Sequence, residues 1–503
     1  MGCQKCTTRI ASCFRSITVE PVLFLYMLAQ FTQFSVFQQF LYRKTCFDKY
    51  KDISICTNLT NPEYKEQEKY TQTEASHWIF YGTLCLTIPS LISASFIGSW
   101  ADRFSRKLPI LLPIIGACLS SLNYIILSVH METVPLPLVL VSSTINGIMG
   151  GFVTAIMSVF SYVGFIADPR TRTIRIGILE SMTFMGSTLG VLVSGIMLEN
   201  TSFTFVFSFL LVSQVLACIY TLIFVKDIKP TEDQRQGKNY CSFLFSLSHL
   251  KSSVMCVFKP RERQRRLHLL LTLLAVFFTL IVSIGFEEIA LLYTKHPPLS
   301  WRGIKLYGYF KALMNGLQGL ALIAILPIAK KCTDIHDTSV ILLGALSKIG
   351  GLVLFGFSKY TWMVFLVAPL AMFQSFTVAG MRALMSKLVE PNEQGKLFAI
   401  VGIGESLCTL LGSTIFNNLY PATLKFYPGF SFFAAAGMML IPIILIVWVR
   451  QDMKSQAQYE SLQVAELQSP PTDSGPEVDE VAMGEGDQFP TSQKSSTLQF
   501  EKY

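Results

Sequence analysis

The stretch GSWADRFSRK, Gly98–Lys107, decides how the fold is read. It crowds Asp102, Arg103, Arg106 and Lys107 together, a charge density that hydrocarbon does not accept. On either side the chain stays apolar for about twenty residues, the length of one bilayer crossing. The decapeptide is therefore the turn between two membrane spans. In that turn Asp102 can accept hydrogen bonds from a helix end and from an arginine, while Arg106 and Lys107 hold the membrane face.

Outward from this turn, the same pattern recurs. The chain of 503 residues is 51% hydrophobic and only 15% charged, where soluble domains carry about 25% charged residues. Twelve apolar segments of spanning length can be counted, the first at roughly 20–42 and the last at roughly 428–449. The expected fold class is an all-α polytopic membrane protein, with twelve transmembrane helices in two pseudo-symmetric six-helix halves. The partner this implies is a lipid bilayer. The net charge of +8 lies in short clusters between spans and not in an aromatic-studded groove, so nucleic acid is not indicated. The polar N-terminus has no short apolar region with a cleavage site, so the first span reads as a signal anchor.

The basic clusters set the orientation. Arg170 and Arg172, Lys330 and Lys331, and a long central loop from Lys226 to Arg266 all follow even-numbered spans, as Gly98–Lys107 does. The positive-inside rule puts these loops and both termini in the cytoplasm. The expected order is a cytoplasmic N-terminus at 1–19, an N-terminal half at 20–225, a central loop at 226–267, a C-terminal half at 268–450 and a disordered tail at 451–503. That tail holds YESL, Tyr459–Leu462, a candidate sorting signal. On the outer side, Cys46 and Cys56 bound a polar stretch beside the glycosylation acceptor Asn58-Leu59-Thr60, and a bridge between them fits an oxidising face. Cys85, Cys118, Cys218 and Cys408 lie in apolar spans as packing residues.

An internal echo links the halves. Gly177-Ile178-Leu179-Glu180-Ser181 parallels Gly402-Ile403-Gly404-Glu405-Ser406, and both run on to Gly-Ser-Thr, at Gly186 and at Gly412. Glu180 and Glu405 then occupy equivalent positions. A charge at bilayer depth costs a few kcal/mol and usually faces a cavity or a partner. The candidates are Glu180, Glu287, Glu288, Lys311, Lys348, Arg382 and Glu405. A carboxyl held out of water can exchange a proton near neutral pH, which suits Glu180 and Glu405 to proton coupling. Arg382 keeps its charge and can clamp a carboxylate bidentately, which suits it to a substrate anion. Glu287, Glu288, Lys311 and, in the first span, Gln39 complete the candidate substrate path. Lys348 reads as a buried ion pair or a side chain snorkelling to the interface. Gly186 and Gly190 are spaced to pack their helix closely while Glu180 faces a cavity.

Enzyme chemistry is not indicated. The six histidines have no metal-ligand spacing, and no Walker loop, zinc-protease motif or nucleophile elbow occurs. No cofactor or metal is expected, and protons are the coupling ion.

The Gly98–Lys107 turn resembles the loop pattern of the major facilitator superfamily, with Ser105 where the family has a second glycine. More specific stretches resemble solute carrier family 46, the proton-coupled folate transporter family. They include RTRTIRIGILE at 170–180, RALMSKLVEPNEQGKLFA at 382–399 and IFNNLYPATLKFYPGF at 415–430. The resemblance implies a proton-driven carrier in which Glu180 couples protons, Arg382 serves substrate and coupling, and Asp102 serves the gate. Departures accompany it. Ser143, Ser283 and Ser300 stand where the folate carrier has an arginine, a histidine and a cysteine. The last change removes the family's bridge to that loop and leaves Cys46–Cys56 as the alternative. Glu405 resembles the lysosomal member and not the folate carrier.

The function expected is proton-coupled symport of small organic anions, folate-like or antifolate-like by family. A lysosomal-type exporter of catabolites or peptide-like solutes is the alternative, with a plasma-membrane or endolysosomal location accordingly. A non-transporting multi-span receptor or scaffold is the reading from another class; carboxylates inside both halves speak against it.

Overall fold

The computed structural model describes residues 18–52, 55–56, 64–102, 104–228, 255–261, 264–301, 305–333, 335–424 and 427–468. Asn58, Arg103 and most of the central loop fall outside them. Among the described residues the unit Met1–Met453 forms twelve long helical rods. They are α1 (Glu20–Tyr50), α2 (Lys65–Ala101), α3 (Leu108–Val129), α4 (Leu136–Ile166), α5 (Arg172–Asn200) and α6 (Phe203–Phe224) in the first half. The second half has α7 (Arg265–Lys295), α8 (Leu306–Cys332), α9 (Asp337–Phe357), α10 (Thr361–Leu388), α11 (Pro391–Leu424) and α12 (Phe430–Gln456). Eleven of them, α2 to α12, are long and apolar enough to cross a membrane. The exception, α1, carries Gln30, Gln33, Gln38 and Gln39, and these amides lower its hydropathy. It is nonetheless packed among the others, against α5 and α6.

The pairing of helices repeats between the halves. In the first, α1 packs on α5 and α6, α2 on α4, and α3 on α4 and α6. In the second, α7 packs on α11 and α12, α8 on α10, and α9 on α10 and α12. The halves meet through α2 with α11, α8 with α5, α4 with α11 and α10 with α5, which are again pairs exchanged by a two-fold pseudo-axis.

Small residues set the seams. A Cβ on Gly186 would lie 2.7 Å from Cβ of Met27, and one on Gly190 would lie 2.8 Å from the Leu28 carbonyl oxygen. The α1 and α5 backbones therefore touch closely, as small-xxx-small pairs allow. Gly412, the counterpart of Gly186, does the same for α11 against α7, where a Cβ would lie 2.9 Å from the Ile281 carbonyl. Between the halves, Gly98 and Gly395 bring α2 and α11 together: a Cβ on Gly395 would lie 2.4 Å from the Gly98 carbonyl.

Two equivalent rods are broken in mid-course. In α4 the helix stops at Ile148 and restarts at Gly151, with Gly150 at φ 96°, a conformation that favours glycine. In α10 it stops at Leu370 and restarts at Ser375. Each break frees backbone carbonyls in a setting without water. Ser90 Oγ donates to the Gly150 oxygen at 2.6 Å, Ser93 Oγ to Ile148 at 2.7 Å and Ser347 Oγ to Leu370 at 2.6 Å.

Cys46 and Cys56 are joined as a disulfide, with Cα atoms 5.7 Å apart, at the end of the bundle opposite the Gly98–Lys107 turn. The second unit, Lys454–Tyr503, differs from the expected disorder: its residues are helical as far as Gln468. KSQAQYESLQVAELQ, 454–468, is dominated by lysine, glutamine, alanine, glutamate and leucine, all strong helix formers. Composition poor in large aliphatics argues against a core, not against a helix.

Candidate functional site

Three rods deliver the charges at the centre. The glycine seam with α1 fixes the rotation of α5, so that Glu180 turns away from α1 toward the second half. The restarted part of α10 carries Arg382, and α11 carries Glu405. Arg382 donates from Nη1 to Glu180 Oε2 and from Nη2 to Glu405 Oε1. Its guanidinium carbon stacks 4.6 Å from the centre of the Phe160 ring on α4, a cation–π contact. Both glutamates of the internal echo thus reach the same arginine, one from each half. Two carboxylates on one guanidinium leave a single uncompensated negative charge, and one proton neutralises it. Charges desolvated to this degree hold only with their partners complete, because removing one partner strands another.

A cavity of about 200 Å³ opens beside this cluster. Glu180, Arg382, Lys348, Gln318, Ser375 and Glu287 are among its polar lining, with Asn315 and Gln374, and Phe184, Phe286 and Met314 are among its apolar walls. Glu287 is held there by Lys311. Glu288 points elsewhere, accepting a bond from Asn417 Nδ2 at 3.4 Å. Gln39 lies in a different recess of about 490 Å³, beside Tyr42, Arg43 and Cys56 toward the disulfide end. Lys348 corrects its sequence reading. It is buried at 5% exposure, so it does not snorkel. Among the described residues it also has no ion-pair partner: Nζ donates to the Thr279 carbonyl at 3.1 Å and to Ser283 Oγ.

The Gly98–Lys107 turn closes the basic-loop end. Asp102 accepts from the backbone N–H groups of Gly395 at 2.9 Å and Lys396 at 3.0 Å, which open α11 in the other half. Arg106 pairs with Asp102 at 3.0 Å and donates to Ser161 Oγ at 3.1 Å and the Pro391 carbonyl at 3.0 Å. Burial pushes the Asp102 carboxyl up to about 6 from its ordinary 3.8, against the pull of Arg106 and the two backbone donors. Lys107 donates to the Leu222 carbonyl at 2.7 Å.

A second latch escaped the sequence reading. At the start of α9, Asp337 pairs with Lys330 at 2.5 Å and with Lys387 at 2.6 Å, and accepts from Thr173 Oγ1 at 2.7 Å. Thr173 opens α5, so Asp337 holds the first half as Asp102 holds the second. The signal was available: the pseudo-axis maps the turn after α2 onto the turn after α8. Arg172 adds a bond from Nη1 to the Ser386 carbonyl at 2.8 Å.

Two six-helix halves, latched at one end and bridged at the centre by a buried ion cluster beside a cavity, define a secondary-transporter fold of the rocking type. The family model of the Major Facilitator Superfamily matches residues 19–314. The chain is 30% identical over 444 residues to the lysosomal proton-coupled steroid conjugate and bile acid symporter SLC46A3 of Gallus gallus, covering 86% of this chain and 94% of the relative. It is 30% identical over 433 residues to the proton-coupled folate transporter of Rattus norvegicus, covering 85% and 91%. In three dimensions it is similar to the human organic anion transporter MFSD10 (TETRAN), with a TM-score of 0.65 at 15% identity over 85% of this chain and 98% of the other. The chain belongs to the major facilitator superfamily, and within it to solute carrier family 46. It is a multi-pass membrane protein.

Proposed function

We propose that the chain is a proton-coupled symporter of small organic anions, in which the coupling step is a contest for Arg382. The observation that carries this reading is the double engagement of Arg382 by Glu180 and Glu405 from opposite halves. With both carboxylates ionised, neither end of the guanidinium is open to substrate. A proton on one carboxyl removes its charge-assisted bond, and an anion from the cavity takes its place. Loading of proton and anion then go together, and the link between α5 and α10 is released for rocking of the halves.

Protons are the coupling ion, without cofactor, metal or covalent chemistry. The chain is a carrier, not an enzyme. The basic-loop end faces the cytoplasm with both termini. Folate-like and steroid-conjugate-like anions are the substrates to try first, since the two relatives are named for them. Location in a lysosomal membrane is the second reading, favoured by the lysosomal relative and by Glu405. Import at the cell surface and export from an acidic lumen are the same movement toward the cytoplasm, so the chemistry serves both.

The test is uptake into proteoliposomes under an imposed pH gradient, with labelled folate beside a panel of organic anions and peptides. Glu180→Gln should abolish proton-driven accumulation while leaving anion exchange. Unchanged pH dependence in that variant sinks the assignment. Imaging a tagged chain with and without Tyr459 decides the membrane.

A further inference from the structure

We infer that Lys348 is the anion-binding pole of the cavity, taking an oxyanion, carboxylate or sulfate, as a cation distinct from the Arg382 cluster that lines the same space. The inference rests on the symporter reading and names the group that recognises its substrate.

The polar side chains of the cavity divide sharply. Its two carboxylates are each engaged by a cation: Glu180 is bound by Arg382, and Glu287 by Lys311. Its donors differ. Gln318 is 2% exposed and Ser375 4% exposed, yet Gln318 Nε2 and Ser375 Oγ have no hydrogen-bond partner among the described residues, and neither does Arg382 Nε. Lys348 Nζ meets only a hydroxyl and a carbonyl; Glu287, itself held by Lys311, acts on it only from beyond ion-pair distance. Buried donors without acceptors are costly and rare. Here three of them, with the Lys348 ammonium, line one space of about 200 Å³. A group that satisfies them must be rich in acceptors and negatively charged. A carboxylate or sulfate is both, whereas a neutral amide or sugar hydroxyl brings donors along with its acceptors and no charge.

Lys348 and Arg382 then have different duties. Arg382 is released by the proton; Lys348 is available throughout. Ser283 orients the ammonium from α7, so that α7 and α9 present it together.

The experiment uses the full chain in detergent and reads thermal stabilisation by pyrenesulfonate, pyrenecarboxylate and pyrenemethanol, which share one apolar body. The wild type should be stabilised by both anions and not by the alcohol; a preference between the anions identifies the oxyanion. Lys348→Gln should bind both about tenfold or more weakly, with Lys348→Arg retaining the anions and Gln318→Leu weakening them less. Lys348→Gln that melts normally and binds both anions like the wild type overturns the inference. If that variant does not fold, unchanged anion affinity in both Gln318→Leu and Ser375→Ala overturns it. A wild type that binds neither anion overturns it as well. The symporter reading fails separately, by absence of proton-driven uptake in the wild type.

Discussion

Glu180 and Arg382 meet across the interface between the two halves, and Glu405 meets the same guanidinium from within the arginine's own half. The two carboxylates are therefore unequal. A rocking motion separates Arg382 from Glu180 but carries Glu405 along with it. Arg382→Gln should abolish uptake and lower stability by about 3–5 kcal/mol, the cost of leaving buried charges without their partner. Adding Glu180→Gln to that variant should restore part of the lost melting temperature. A double variant no more stable than Arg382→Gln alone would show that the carboxylates do not repel across the cluster.

The Asp102 latch should respond to pH. Its carboxyl is raised to about 6 in the latched structure, against an ordinary 3.8 once opened to water. The latched state binds the proton more tightly, so acidification favours it. The contribution is fully present below the ordinary value and is lost as pH rises through about 6. At about 1.4 kcal/mol per unit it amounts to roughly 3 kcal/mol. Maleimide labelling of a cysteine placed on the basic-loop end should therefore slow as pH falls, and Asp102→Asn should flatten that dependence.

Asp337 should matter as much as Asp102, although no loop motif announces it. Asp337→Asn leaves Lys330 and Lys387 facing each other without a carboxylate between them. Labelling at the basic-loop end should rise in this variant. Adding Lys387→Gln, which removes one of the two cations, should lower it again.

Glycine replacements separate seam from surface. Gly186→Ala and Gly190→Ala thrust a methyl into α1 and should each destabilise by about 1–3 kcal/mol. Gly195 lies on the same helix with nothing within 4 Å of its would-be Cβ, so Gly195→Ala should be neutral or mildly stabilising through helix propensity. Melting temperatures in detergent read all three.

Much of the molecule could be read before any coordinates. Apolar spans announce themselves by composition, and the Gly98–Lys107 turn marks where one ends. The Glu180/Glu405 echo pointed to two members of the central ion cluster because the repeat survives in those helices. What stayed hidden depends on rotation about a helix axis. Nothing in ALSKIGG says whether Lys348 faces lipid, a carboxylate or a cavity; that is set by how α9 packs on α7 and α10. Gln39 shows the same limit, since its height along α1 places it in a recess nearer the disulfide. The helix at 454–468 is hidden for another reason: scarcity of large aliphatics argues against a core but leaves helix propensity intact.

Gly98 and Gly395 carry a mechanical consequence. At that contact the two backbones touch directly, with the Ala399, Met157 and Asp102 side chains beside them. Parting the two glycines draws no side chain of their own out of a socket. Friction there is low, so the speed of the conformational cycle is governed by breaking the polar fastenings and not by the shape of the joint.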